Sequence, residues 1–352
     1  MSARRRLHSI DGLRGLMALA VMLYHLGNWS GGVPWPLVAG MLKKAGIYAV
    51  CGFFVISGYS LYWTYGERLT KSGIAEYLQR RWLRIAPLFY VAILLTLWEA
   101  RKVANVGLPE GTSALGTLLL NASLMFGFFR PGSTSYVTGG WSIGVEFVFY
   151  LLFPLVLIWG RGRRGRLGVV ALLAFLCSLL WGELVLDPQR RLGEQWGDFV
   201  SPVYYAVYFF AGVWLASLAR THALSARAAL AGCLACIVAF LLAVPLPADQ
   251  TEIVRGLPFL VLMPATVGLV GFAAQLPAGG EGYRRGCELL GNASYALYLL
   301  HPIVFQEVAR RVSDDQARVV WTIAITLPVS LLVYRYYERR FMTPRRLRAA
   351  AA

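Results

Sequence analysis

Charge is scarce in this chain: Asp, Glu, Lys and Arg together make up 15% of its 352 residues, against about a quarter in soluble domains. Long polar stretches are scarce too, with segments between apolar runs under about 20 residues, so no soluble domain is expected within residues 1–352. Alternating apolar and polar strands are missing, which excludes a transmembrane barrel. The start "MSARRRLHSIDGLRG" lacks a small-residue cleavage site, so the run behind it reads as an uncleaved first span and not as a signal peptide. No internal repeat is detectable, which argues against the usual build of a secondary transporter. The five cysteines (Cys51, Cys177, Cys233, Cys236 and Cys287) sit in or beside apolar runs as small core residues. Cys233 and Cys236 have C-x-x-C spacing, but with no other soft ligands near them no metal is expected.

What is present is hydrophobicity, 57% of the chain with a mean hydropathy of +0.56. Runs such as "VALLAFLCSLLWGELVL" are apolar all round and long enough to cross roughly 30 Å of hydrocarbon. Spans are predicted near residues 10–30, 46–65, 82–104, 140–159, 167–186, 201–219, 227–245, 254–276, 288–308 and 317–337. The fold class is therefore an all-α polytopic membrane protein with about ten transmembrane helices. The shorter run at 114–130 reads as a re-entrant or interfacial segment, because counting it as a span would put "RGRRGR" at 161–166 outside. With both termini cytoplasmic, 22 of the 34 Lys and Arg fall on the inner side and 11 on the outer. Arg190, Arg191, Arg310 and Arg311 are the weakest points of this orientation. The net charge of +16 follows from these membrane-flanking clusters and not from one patch, so no nucleic-acid partner is expected. The sequons at Asn28, Asn121 and Asn292 are read as chance triplets.

Ionisable residues inside spans cost about 3 kcal/mol each on insertion scales and usually mark a site, a pathway or an ion pair. Arg14 and His25, eleven residues apart, return to one helix face about 16 Å apart along the axis. Asp11 stands three residues before Arg14, where the pair either neutralise each other or belong to a site. His25 is either a general base or a helix-end histidine at the outer interface beside Trp29. Glu146 and His301 fall at depths compatible with His25, giving two imidazoles and a carboxylate suited to acid–base work. Arg80, Arg81 and Arg84 open another span at the depth of Arg14. They are either positive-inside anchors or forks for an anionic cytosolic ligand.

In order, "DGLRG" with Arg14 and His25, "FFVISG" at 53–58, Arg81-Trp82-Leu83-Arg84, "WSIGVEFVFYLLFP" and "SYALYLLH" resemble the motifs of the integral-membrane acyltransferase 3 family. The resemblance runs from Ile10 to about Phe341. Two positions depart from it: Phe147 stands where many relatives have a second acid, and Arg340 where they have proline. The resemblance implies an acyl-CoA-dependent O-acyltransferase of the cytoplasmic membrane, with acetyl-CoA the commonest donor and a glycan, glycolipid or other sugar-containing acceptor. It implies that Arg14, Arg81 and Arg84 hold the donor phosphates and that His25 activates the acceptor hydroxyl. Glu146 and His301 join the catalytic set, and Asp11, Ser57, Trp141, Ser142 and Tyr295 the substrate-binding set. Transfer is expected to be direct, with an acyl-histidine intermediate as the alternative. A multispan transporter or flippase is the competing class.

Overall fold

The computed structural model describes residues 6–102 and 114–342, and no strand occurs among them. Arg4, Arg5, Arg345, Arg346, Arg348, both chain ends and the last residues of the 82–104 span lie outside the described residues. Eleven helices carry the fold: α1 His8–Trp29, α2 Pro36–Tyr65, α3 Ile74–Lys102, α4 Ala114–Ala122, α5 Trp141–Gly160, α6 Arg164–Leu184, α7 Pro202–Ala219, α8 Ala226–Leu242, α9 Gly256–Ala273, α10 Glu281–Ala309 and α11 Asp315–Val333. Their starts follow the local chemistry. Pro36 and Pro202 occupy first-turn positions where no N–H is needed, while Ser201, Ser225 and Asp314 accept from the backbone N–H groups of Val203, Ala228 and Ala317.

Seven of these helices, α2, α3, α5, α6, α7, α9 and α11, are long and apolar enough to cross a membrane. The other three predicted spans are helices as well, but α8 has only 17 residues, and polar residues interrupt α1 and α10. The 114–130 run does not form one continuous helix. α4 is nine residues long, and the chain breaks at Leu124 and Arg130, both in the left-handed region. Asn121, fully buried, fixes this shape by donating to the carbonyls of Thr117 and Thr134 and accepting from Tyr136 N.

The centre of the bundle is α2 against α7, flanked by α1 with α10; α6 packs on α7, α8 on α9 and α11 on α10. Two glycines set the central distance: a Cβ on Gly58 would lie 2.0 Å from the Phe209 carbonyl oxygen, and one on Gly212 2.2 Å from that of Val55. Small residues let helix backbones approach, which is how bundles associate when lipid removes the hydrophobic drive. The apolar stretch of α2 is 67% buried and that of α11 only 17%, so α2 is core and α11 faces outward.

One sequence expectation is corrected here. α2 begins ten residues before the predicted 46, which places Lys43 and Lys44 inside a helix instead of in a loop. Lys44 is fully buried and donates to the carbonyls of Phe240, Leu241 and Ala243 at the C-terminal end of α8. Those carbonyls have no partner within their own helix, and a cation there meets the negative end of its dipole. Arg190, Arg310 and Arg311, basic residues on the predicted outer side, pair with Glu194, Glu99 and Glu307.

Candidate functional site

Two cavities are stacked along the helix axes. The larger, about 980 Å³, is lined by Asp11 and Arg14 of α1, Ser57 of α2, Arg81 and Arg84 of α3, Ser142 and Glu146 of α5 and Tyr295 of α10. The smaller, about 460 Å³, is lined by His25 of α1 and Trp141 of α5. One helix therefore serves both, with Arg14 in one chamber and His25 in the other. The antiparallel α2 matches it, meeting the smaller cavity from Gly46 to Val50 and the larger from Val50 onward.

The larger chamber is cationic. Five arginines line it, against Asp11, Glu76 and Glu146. Asp11 bridges two of them, accepting from Arg6 Nε at 2.6 Å and from Arg14 at 3.3 Å, so the neutralising pair expected from the sequence exists and also lines the cavity. Arg81 lies over the rings of Tyr65 and Tyr150, and its buried Nε has no hydrogen-bond partner. Arg84 directs one terminal nitrogen at Met342 Sδ. Arginine forks held by aromatic stacking while keeping free donors are suited to phosphate oxygens.

Glu146 belongs to this chamber. Its Oε1 accepts from Ser57 at 2.7 Å and from Tyr150, one turn further along α5, at 2.6 Å. It lines the cavity of the arginines, not that of His25.

His25 and His301 are brought together. His25 Nδ1 lies 2.9 Å from His301 Nε2, and His301 Nδ1 lies 3.0 Å from the Leu297 carbonyl oxygen. A carbonyl only accepts, so His301 Nδ1 carries its proton and His301 Nε2 presents a lone pair. His25 Nδ1–H must then donate to it, which leaves the lone pair of His25 on Nε2, the nitrogen available to a substrate. Trp29 stacks on the His25 ring at 4.7 Å and fixes its plane. His301 itself is 1% exposed and lines neither cavity.

The remaining candidates are structural partners of the same chambers. Ser142 Oγ is 2.8 Å from Tyr298 Oη, Tyr295 donates to the Ile85 carbonyl, and Trp141 packs edge-on to Trp196. Sequence reasoning missed Tyr150 and Tyr298. The first stands four residues from Glu146 on the same helix face, and the second lies inside the quoted "SYALYLLH". Two of the three sequon asparagines line the cavities, Asn292 the larger and Asn28 the smaller, and the third, Asn121, is buried. Among the described residues no group of three His, Cys, Asp or Glu is placed to hold a metal ion.

These features define a polytopic all-helical protein with a cationic chamber and a histidine chamber in one bundle. The acyltransferase 3 family model, an acyltransferase domain, matches residues 7–335, and the chain belongs to that family. It is 26% identical over 323 residues to the acyltransferase MdmB of Streptomyces mycarofaciens, covering 86% of this chain and 79% of that protein. It is 27% identical over 218 residues to the peptidoglycan O-acetyltransferase OatA of Listeria monocytogenes, covering 58% of this chain and 32% of OatA. To the O-acetyltransferase OatA of Staphylococcus aureus it is 28% identical over 191 residues, covering 51% of this chain and 29% of that protein. The chain thus spans about a third of the length of these two O-acetyltransferases. No solved structure matches it.

Proposed function

We propose that this protein transfers an acyl group, acetyl in the first instance, from acyl-CoA to a hydroxyl of a sugar-containing acceptor within the cytoplasmic membrane. Ten helices cross the bilayer with both termini cytoplasmic, so the larger cavity opens to cytosolic donor and the smaller lies toward the outer face. The observation that carries this reading is the division of labour between the two chambers. Five arginines line the first, fitting the phosphates of CoA, with Arg14, Arg81 and Arg84 as the principal contacts. The second is lined by His25 and seven further aromatic rings, with no Asp, Glu, Lys or Arg among its lining residues. Aromatic faces with interspersed Asn28, Ser135 and Thr138 suit the apolar faces and hydroxyls of a neutral sugar ring.

The chemistry is direct transfer. His25 Nε2 takes the proton of the acceptor hydroxyl as its oxygen attacks the thioester carbonyl carbon. The C–S bond breaks, the CoA sulfur leaves and receives the proton from His25, and an ester and free CoA result. His301 acts through its hydrogen bond to His25, as a positioning residue. Glu146, held by Ser57 and Tyr150, tunes the field around the arginines, and Asp11 orients Arg14.

The test is donor binding and acceptor transfer measured on one purified preparation. Arg14→Ala, or Arg81→Ala with Arg84→Ala, should weaken acetyl-CoA binding by about 1.5–3 kcal/mol per lost phosphate contact without loss of fold. Arg84→Lys should lose much of the affinity although charge is kept. His25→Ala should keep donor affinity and lower transfer by about 10²- to 10⁴-fold. Unchanged affinity in folded arginine variants overturns the donor assignment.

A further inference from the structure

Among the described residues, Val50 and Tyr298 alone line both cavities. Each is 7% exposed, Val50 on α2 and Tyr298 on α10, so together they form the wall between the chambers. Tyr298 is held firmly. Its hydroxyl lies 2.8 Å from Ser142 Oγ and donates to the Gly139 carbonyl at 3.0 Å, and its ring meets Phe53 edge-on at 5.8 Å. Ser142 Oγ also reaches the Gly139 carbonyl, at 3.1 Å, so the tyrosine is latched to the start of α5 from two sides.

This placement matters for the reaction. The donor phosphates belong with the arginines, and the activated hydroxyl belongs with His25. The thioester carbon must therefore come to the wall between them, with its acyl chain against the residues that form the wall. We infer that the Val50–Tyr298 constriction is the acyl-selecting element of this protein: it admits a short acyl group and excludes longer ones. The inference rests on the assignment of donor and acceptor to the two cavities. The physical basis is steric. Val50 is a stiff β-branched side chain, and the Tyr298 ring cannot turn aside without losing its hydrogen bonds. One methylene in such an apolar slot is worth about 10- to 200-fold in discrimination.

The experiment supplies acetyl-CoA and butyryl-CoA, each with its own isotope, as a mixture to membranes containing the protein, and counts base-labile acyl ester formed from each. Because both donors compete for the same molecules, the ratio does not depend on how much protein is folded. Val50→Ala should raise the butyryl-to-acetyl ratio at least tenfold over wild type. A second variant, Val50→Cys, is of near-native size and is converted to a mixed disulfide with methyl and then with bulkier methanethiosulfonates, methanesulfinate leaving, with treated wild type controlling for the five native cysteines. Transfer should fall stepwise with adduct size while binding of acetyl-CoA persists. An unchanged ratio in Val50→Ala, or full transfer by the bulkiest adduct, overturns the constriction. Absence of transfer from either donor by the wild-type protein overturns the donor assignment and this inference with it.

Discussion

Two imidazoles in contact would be a poor use of histidine if both were bases, and their hydrogen bonds give them different work. Leu297 sets the tautomer of His301, and His301 sets that of His25, so a backbone carbonyl decides which nitrogen of the outer ring is basic. The arrangement has a separable consequence. His301→Phe keeps an aromatic ring in the buried site but removes the acceptor, and transfer should fall by about 10²-fold while donor affinity holds. His301→Gln, whose amide oxygen can accept from His25 Nδ1–H, should recover part of the loss. Equal loss in both variants would assign His301 to packing alone. From sequence, both histidines were visible as groups that hydrocarbon rejects. Their contact was not, because 276 residues separate them.

The helices hold these residues in place through a few polar contacts in otherwise apolar packing. Lys44 is the clearest. Its three hydrogen bonds join the first third of α2 to the end of α8, and Phe240 lies under its ammonium group. Lys44→Met keeps the length of the side chain but strands three buried carbonyls, a loss of order 3 kcal/mol. Thermal unfolding in detergent should show it, and wild-type stability in Lys44→Met would mean that water or lipid headgroups satisfy the carbonyls. The close approach of α2 and α7 makes a second demand. Gly58→Val would drive a side chain into the Phe209 backbone, where neither helix can yield without disturbing the chamber wall, and should cost at least the roughly 1–3 kcal/mol of an overpacked core.

At the scale of the whole molecule, a loop network is centred on Asp249. Its carboxylate accepts from Leu192 N at 2.8 Å, Thr251 N at 2.9 Å and Thr251 Oγ1 at 2.7 Å, tying the loop after α6 to the one between α8 and α9. Burial pushes this carboxyl up, but the hydrogen bonds from Thr251 and Leu192 outweigh it and hold the group below the usual Asp value. A depressed folded value gives stability that is present above the unfolded pKa, about 3.9, and is lost as pH falls through the folded one. Wild-type protein should therefore lose stability on acidification below about pH 4 by a component that is missing in Asp249→Asn. An identical acid dependence in the two would exclude the group. Orientation is tested at the same scale. Gly165 and Gly193 have open space around them, so Gly165→Cys and Gly193→Cys are tolerable reporters on the two predicted sides. An impermeant thiol reagent added to intact cells should label Gly193→Cys and spare Gly165→Cys, and the reverse pattern would invert the topology.

What the sequence by itself determined was set by period, length and charge. A helix lies on each of the ten predicted spans, and seven of these helices are long and apolar enough to cross a membrane, because runs of that length must satisfy their backbone internally. The 114–130 run read as re-entrant or interfacial, its breaks at Leu124 and Arg130 appearing only in the structure, while family membership followed from motifs that are contiguous in the chain. The separation of Arg14 and His25 along the axis was legible as well, since they share one helix and rise along it is fixed at about 1.5 Å per residue. Tertiary structure alone decided which side chains share a chamber, because that depends on how each helix is rotated and which helices are neighbours. Rotation is not encoded in hydropathy when a helix is apolar on every face. Glu146, placed at the depth of His25 on the sequence reading, lies further along α5 than Trp141, in the chamber of the arginines and not in that of His25. Lys44, counted as a loop residue, became a buried cap on another helix, and Val50 and Tyr298, ordinary members of two apolar runs, met as the wall between the cavities.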